Sequence, residues 1–174
     1  KSGSDFLLAC AIGYEVCARI GSACDMRMCL HPHGTYGVVG AAVAVGRLMG
    51  LTAEQMRELI NLAGSSPIAG NRQSMKDGAT LRNWYASHSA TMGQTAVRLV
   101  KSGFTGPLDG LTPTCNEVLF DNFKPAAVVK DLGSRWLLGE GYIKLYGCGR
   151  PIHAAIDALR QALAPLGKPS CWPL

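Results

Sequence analysis

The spacing of apolar positions predicts a mainly α chain. Leu8, Ile12, Val16 and Ile20 recur every four residues, so a helix is expected there, entered at Ser4 and ending near Gly21 and Ser22. An irregular stretch follows, from Cys24 through Leu30 into His31-Pro32-His33-Gly34. Residues 35–49 predict a second helix whose bulk is mostly Gly and Ala. Such a helix gives up intrinsic propensity and gains only where other backbones approach closely, which places it centrally. Gly50 suits its stop, and Thr52 with Gln55 forms a capping box for a third helix. On that helix Met56, Leu59, Ile60 and Ala63 make the i, i+3, i+4, i+7 stripe. Residues 65–78 read as loop. A fourth helix is expected over 80–102, with Leu81, Tyr85, Met92, Ala96, Leu99 and Val100 inward and Gly103 as its end. A short helix is expected over 117–123. Trp136–Leu145 alternates and favours β structure, so it reads as one or two strands, and 151–163 returns to helical spacing. A lone strand is not stable, so this one is expected to pair with another chain or with sequence not present. The expected division is a helical segment over 1–132 and the opening strand and helix of an α+β domain over 133–174.

Composition narrows the function classes. Apolar residues make up 48% of 174 and charged residues only 17%, which points to a globular chain that buries much of its surface. The formal charge of +5 is dispersed with no run of Lys/Arg longer than two, so nucleic acid is not expected as a partner. The apolar stretches are far too short for a bilayer, so no membrane is expected either. Seven cysteines occur without a CxxC pair. Cys10, Cys17 and Cys24 fall on one helical face and are expected to be small buried hydrophobes rather than metal ligands. Without a signal peptide or disulfide framework, a reducing intracellular compartment is expected, cytoplasmic or mitochondrial. The first and last residues look like cuts or aberrant junctions.

Three clusters can carry chemistry, each with a plain structural alternative. His31 and His33 sit in a loop before a glycine-rich helix, where backbone N–H groups favour an anion; the alternative is loop histidines bonded to backbone. Arg82, Asn83, Tyr85 and His88 lie near the start of the fourth helix, and arginine is a natural carboxylate clamp; the alternative is a solvated face with a core tyrosine. Lys144, Cys148, Arg150 and His153 lie between the expected strand and the last helix. Their cations suit a polycarboxylate, or Arg150 simply caps an edge. Nucleotide-loop and serine-hydrolase motifs are absent.

The order and spacing of these pieces resemble the MmgE/PrpD family. The resemblance runs from about Gly3 to Leu163. It rests on Ser4-Asp5-Phe6-Leu7-Leu8 leading to Gly13-Tyr14-Glu15-Val16, on His31-Pro32 through Gly34-Thr35 and Gly37, and on Leu48-Met49-Gly50-Leu51. It continues through Gly78-Ala79-Thr80-Leu81-Arg82-Asn83-Trp84-Tyr85-Ala86, Gly103-Phe104-Thr105-Gly106, and Tyr142-Ile143-Lys144-Leu145 to Cys148, Arg150, His153 and Ile156-Asp157-Ala158.

That resemblance implies a helical domain joined to a smaller α+β domain with a cleft between them, a homodimer, and no metal or organic cofactor. It implies a lyase for a small di- or tricarboxylate, dehydrating 2-methylcitrate-like or decarboxylating cis-aconitate-like acids, with epimerisation also within the family's range. By the same resemblance His31 and Lys144 are catalytic, and Arg82, Asn83, Tyr85, Arg150 and His153 bind substrate. Ser87 and Gly149 depart from the family pattern, and the family's upstream Asp/Thr/His segment and downstream tyrosine are not in the sequence. The competing expectation is a truncated, non-catalytic relative that scaffolds or pairs with a longer homologue.

Overall fold

Ser2, not Ser4, caps the first helix in the computed structural model, which describes residues 1–166. The Ser2 hydroxyl accepts from the Asp5 N–H while the Asp5 carboxylate accepts from the Ser2 N–H, closing a capping box two residues earlier than expected. Helix α1 spans Gly3–Ser22. Strand β1 (Cys24–Met26) follows, then α2 (Gly37–Met49), α3 (Ala53–Gly64), the single turn α4 (Gln73–Lys76) and the long α5 (Leu81–Lys101). The described chain is mainly α, as its periodicity predicts. Two compact units are present, Lys1–Gly139 and a second that begins at Glu140.

Helix α2 is central to the first unit because its small residues admit backbone on two sides. A Cβ added to Gly40 would stand 2.6 Å from the Gly13 carbonyl oxygen of α1, and one added to Gly13 would stand 2.5 Å from the Gly40 carbonyl oxygen. On the other side, a Cβ on Gly93 of α5 would stand 2.6 Å from Ala41 Cβ. Between these contacts Val38, Val39, Ala42 and Val43 pack with Ile20, Leu59, Ala63, Ala96 and Val97. Gly50 ends α2 in the left-handed conformation that glycine adopts freely, and the Thr52–Gln55 capping box forms as expected. The inward face of α1 is rotated from the expected one. Leu8 is exposed and Ile12 and Val16 are half-buried, while Ala9, Gly13 and Ile20 are buried, because close helix contact selects small residues. Leu81 is likewise exposed, standing at the first residue of α5 beyond the packed region.

Three sequence expectations are corrected. The helix expected over 117–123 is a π-type turn at Thr114–Leu119 followed by strand β2, Phe120–Phe123. β2 pairs antiparallel with β1, Cys24 opposite Phe123 and Met26 opposite Phe120, with Phe120 and Phe123 turned into the core. Second, Trp136–Leu145 holds no strand. Leu137–Glu140 is a 3-10 turn, and the Leu138 N–H is already taken by the Glu15 carboxylate at 2.9 Å, so no strand ladder can use it. The helix after it, α7, spans Arg150–Leu163. Third, Cys10 is exposed and Cys17 and Cys24 half-buried, and Cys24 lies on β1 rather than on a helical face.

A buried ion pair fastens the end of the first unit. Arg19 Nε donates to Glu15 Oε1 at 2.6 Å, one turn apart on α1, and both are buried. The Arg19 guanidinium also donates to the carbonyl of Val128 in the turn α6 (Pro125–Val129) and to those of Lys130 and Arg135 after it. Burial pushes the Glu15 carboxyl up, but the N–H groups of Leu138 and Leu137 and the Arg19 charge together outweigh it and hold it below the ordinary value. Replacing Arg19 with Met leaves Glu15 buried without its partner and is expected to cost about 3–5 kcal/mol. Gly13→Ala should cost about 1–3 kcal/mol by overpacking the α1–α2 contact. Urea unfolding monitored by circular dichroism reads both, and a loss under half a kcal/mol for either would remove that interaction from the account.

Candidate functional site

Two loops of the first unit zip together ahead of α2. The His31 N–H donates to the Gly70 carbonyl at 2.7 Å, Ile68 N–H to Gly34 at 2.9 Å, and Arg72 N–H to Cys29 at 2.8 Å. Gly34 takes a positive φ of 94°, and any side chain there would collide with Ile68, so glycine is required at this crossing. The zipper fixes His31, which is 3% exposed.

Its ring is held from two sides. His31 Nδ1 accepts from the His33 backbone N–H at 3.1 Å, and the His33 and Tyr85 rings lie 4.7 and 5.4 Å away, centroid to centroid. Because Nδ1 is accepting, the neutral ring carries its proton on Nε2. Burial lowers the His31 pKa, and the nearby positive charges of His33, Arg82 and Arg72 lower it further. The imidazole is therefore neutral around pH 7 and offers an Nε2–H.

The cations beside it come from both loop and helix. Arg72 is pinned by its Nε, which donates to the Leu30 carbonyl at 2.9 Å. Arg82 stands in the first turn of α5, half-buried, and its buried Nε meets no hydrogen-bond partner among the described residues. A desolvated guanidinium N–H without an acceptor is unfavourable, and a carboxylate is the acceptor its planar fork fits best. Tyr85 is buried, its ring fills the space left by Gly70, and its hydroxyl lies 3.4 Å from the Ser74 hydroxyl. Asn83 is exposed. His88 packs on Trp84 with ring centroids 4.9 Å apart.

His31, Arg82 and Tyr85 are thus brought together within the first unit. Lys144, Arg150 and His153 belong to the second unit. There Lys144 is exposed, Arg150 lies over the Tyr142 ring at 4.4 Å, and His153 meets the Tyr146 ring edge-on at 5.1 Å. The Tyr146 hydroxyl hydrogen-bonds with Asp157, and Arg160 donates to that hydroxyl at 3.2 Å. Arg72 escaped the sequence reading. Its one local signal is a cation in a Gly/Ser/Asn loop, and only the pairing of the two loops shows what it serves. Among the described residues no group of three or more His, Cys, Asp or Glu is placed to hold a metal ion, and no helix is long and apolar enough to cross a membrane.

Comparison with known proteins places the chain in a family. The family model described as MmgE/PrpD N-terminal domain matches residues 1–122. A cis-aconitate decarboxylase of Aspergillus terreus is 28% identical over 92% of this chain and 35% of its own length. A cis-aconitate decarboxylase-like protein, oryM, of Aspergillus oryzae is 25% identical over 92% of this chain and 36% of its own. The human cis-aconitate decarboxylase is 28% identical over 80% of this chain and 29% of its own. The chain therefore spans about a third of the length of these relatives.

The protonation state of His31 has a measurable sign. Its folded pKa lies below the ordinary 6.5, so the unfolded chain binds more protons between the two values. The stability this group contributes is complete above about pH 6.5 and falls as pH drops toward the folded pKa, by at most about 1.4 kcal/mol per pH unit. The carboxyls held low, Glu15 among them, add their own loss only below about 4.5. Between pH 7 and 5 the melting temperature of His31→Gln should fall less than that of the parent chain; equal falls would show that His31 is not held neutral.

Proposed function

We propose, starting from the fact that the chain belongs to the MmgE/PrpD family, that His31, Arg72 and Arg82 bind and polarise a small di- or tricarboxylic acid for a lyase reaction. The observation that carries this reading is a neutral, buried Nε2–H imidazole flanked by two guanidiniums, one with an unsatisfied buried N–H. Loss of water or CO₂ next to a carboxylate builds carbanion-like charge, and fixed donors aimed at that charge lower the barrier. Arg72 and Arg82 supply positive charge. His31 acts at Nε2 as a neutral hydrogen-bond donor to the developing enolate, because protonating Nδ1 would break its bond from His33 and add a third cation to the cluster. His31 then does not move the proton itself; on the family resemblance alone, Lys144 of the second unit is our candidate catalytic residue, and Arg150 and His153 are candidate substrate contacts. Asn83 and Tyr85 complete the α5 side, Tyr85 through the packing of the His31 ring.

The substrate class is cis-aconitate-like or 2-methylcitrate-like, supported by the names of the relatives for the first alone. An intracellular setting, cytoplasmic or mitochondrial, is supported by the six free cysteines among the described residues. A second reading, a partner subunit that pairs with its own copy or with a longer relative, is favoured by the outer face of α1. Phe6, Leu7 and Tyr14 are 57%, 69% and 53% exposed there, a larger apolar display than one helix usually leaves to water. Light scattering that gives a monomer mass at high micromolar concentration would remove self-pairing from this reading.

Arg82→Gln should weaken cis-aconitate binding about 10- to 100-fold, the range for a lost hydrogen bond to a charged group. Calorimetric titration measures it, and an unchanged Kd would sink the assignment. Incubating the chain with citrate, 2-methylcitrate and cis-aconitate under NMR would name the reaction from the product resonances. Static spectra together with a normal Kd would favour the partner-subunit reading.

A further inference from the structure

A hollow of about 340 Å³ opens within the first unit, and none of its walls belongs to the His31 cluster. Ile20 of α1, Val39 of α2 and Phe123 of β2 line it and are themselves buried core. Val16 of α1, Ile60 of α3 and Leu111 line it too, half-buried and packed on that core. The strap over residues 125–132 supplies the remaining apolar wall. Its Val128 packs on the core, while Val129 and Leu132 are each 62% exposed, so the hollow reaches solvent past them.

Close-packed interiors hold few voids larger than a water molecule, so walls that stand this far apart need a reason. Hydrogen bonds pin both edges. On one, the Arg19 guanidinium holds the strap by the carbonyls of Val128, Lys130 and Arg135. On the other, Asn61 donates to the Leu108 carbonyl and accepts from the Gly110 N–H, and the Asp109 carboxylate accepts from the N–H groups of Leu111 and Thr112. The same bonds use up the polar groups of the walls. Arg19, the cation on these walls, is paired with Glu15 and offers an anion nothing. Asp109 is exposed, where water screens its charge from a cationic guest. What the hollow offers a guest is apolar surface.

We propose that this hollow is a binding site for an uncharged, apolar small molecule of about ten non-hydrogen atoms. An apolar cavity of about 150 Å³ admits benzene, so one of roughly twice that volume admits a bicyclic ring. One turn of helix, about 10 Å across and 5.4 Å long, takes up roughly 400 Å³ and does not fit. The site stands apart from the carboxylate reading and does not rest on it.

Methyl NMR on the full chain tests the site, with indole as the probe and benzoate and benzylammonium as charged molecules of similar size. Indole should shift the methyls of Val16, Val39, Ile60 and Val128 saturably and leave the His31 ring unmoved. It should also raise the melting temperature as its concentration rises. Both charged probes should bind about tenfold or more weakly, because the walls offer their charge no partner. Val128→Phe and Ile60→Phe each fill the hollow, one from the strap and one from α3. Either variant that keeps the circular dichroism of the parent should lose the indole shifts. Methyls that stay silent up to the solubility of indole, shifts that persist in a folded filled variant, or a charged probe that binds as tightly as indole would each overturn the proposal. Light scattering on the same samples covers the remaining occupant: a mass that halves as indole is added would show that the hollow holds a side chain of a second copy, and the small-molecule site would fall.

Discussion

The approach of α1, α2 and α5 to near backbone contact is the constraint on which the rest of the first unit depends. At Gly13, Gly40 and Gly93 there is no room for a Cβ without displacing backbone or Ala41. Glycine weakens a helix by roughly 1 kcal/mol relative to alanine, and here close packing must outweigh that loss. The buried valines of α2 interdigitate with the neighbouring helices only because the glycines set the distance. The same spacing brings the N-terminal turn of α5, with Arg82 and Tyr85, against the loop that carries His31.

The chemistry of the cluster follows from excluding water. A histidine in solution changes charge near neutrality, and burial together with the charges of His33, Arg82 and Arg72 moves that change in His31 to lower pH. The His33 N–H completes the arrangement by occupying Nδ1, so a single ring nitrogen is left to act. Positive charge is then supplied by guanidiniums, which stay protonated at any working pH. In the function proposed above, permanent cations attract and a neutral ring donates one directed hydrogen bond.

How much of this was legible depended on whether the signal was local. Thr52 with Gln55, Gly50, and the stripe from Met56 to Ala63 are read within one or two turns, and the helices they mark form where expected. The sheet was hidden because β1 is three residues long and its partner lies beyond α5, so no periodicity records it. Trp136–Leu145 misled for the opposite reason: alternation describes what a strand looks like and says nothing about whether a partner edge is free. In the site, His31 and Arg82 were visible as unusual residues at the ends of helical segments. Arg72 was not, because its place beside His31 is set by a carbonyl 42 residues earlier in the chain.

The Glu15–Arg19 pair has a mechanical consequence. A pull on the chain at Gly139 does not travel back residue by residue through the short turn of α6. Leu138 hands it to the Glu15 carboxylate, and the carbonyls of Val128, Lys130 and Arg135 hand it to the Arg19 guanidinium, so α1 bears the load directly. Tension on the tether is met by several polar bonds stretched in parallel rather than opened one after another, and a set loaded in parallel resists until it fails as a whole. The tether should therefore release in a single step and take the end of α1 with it.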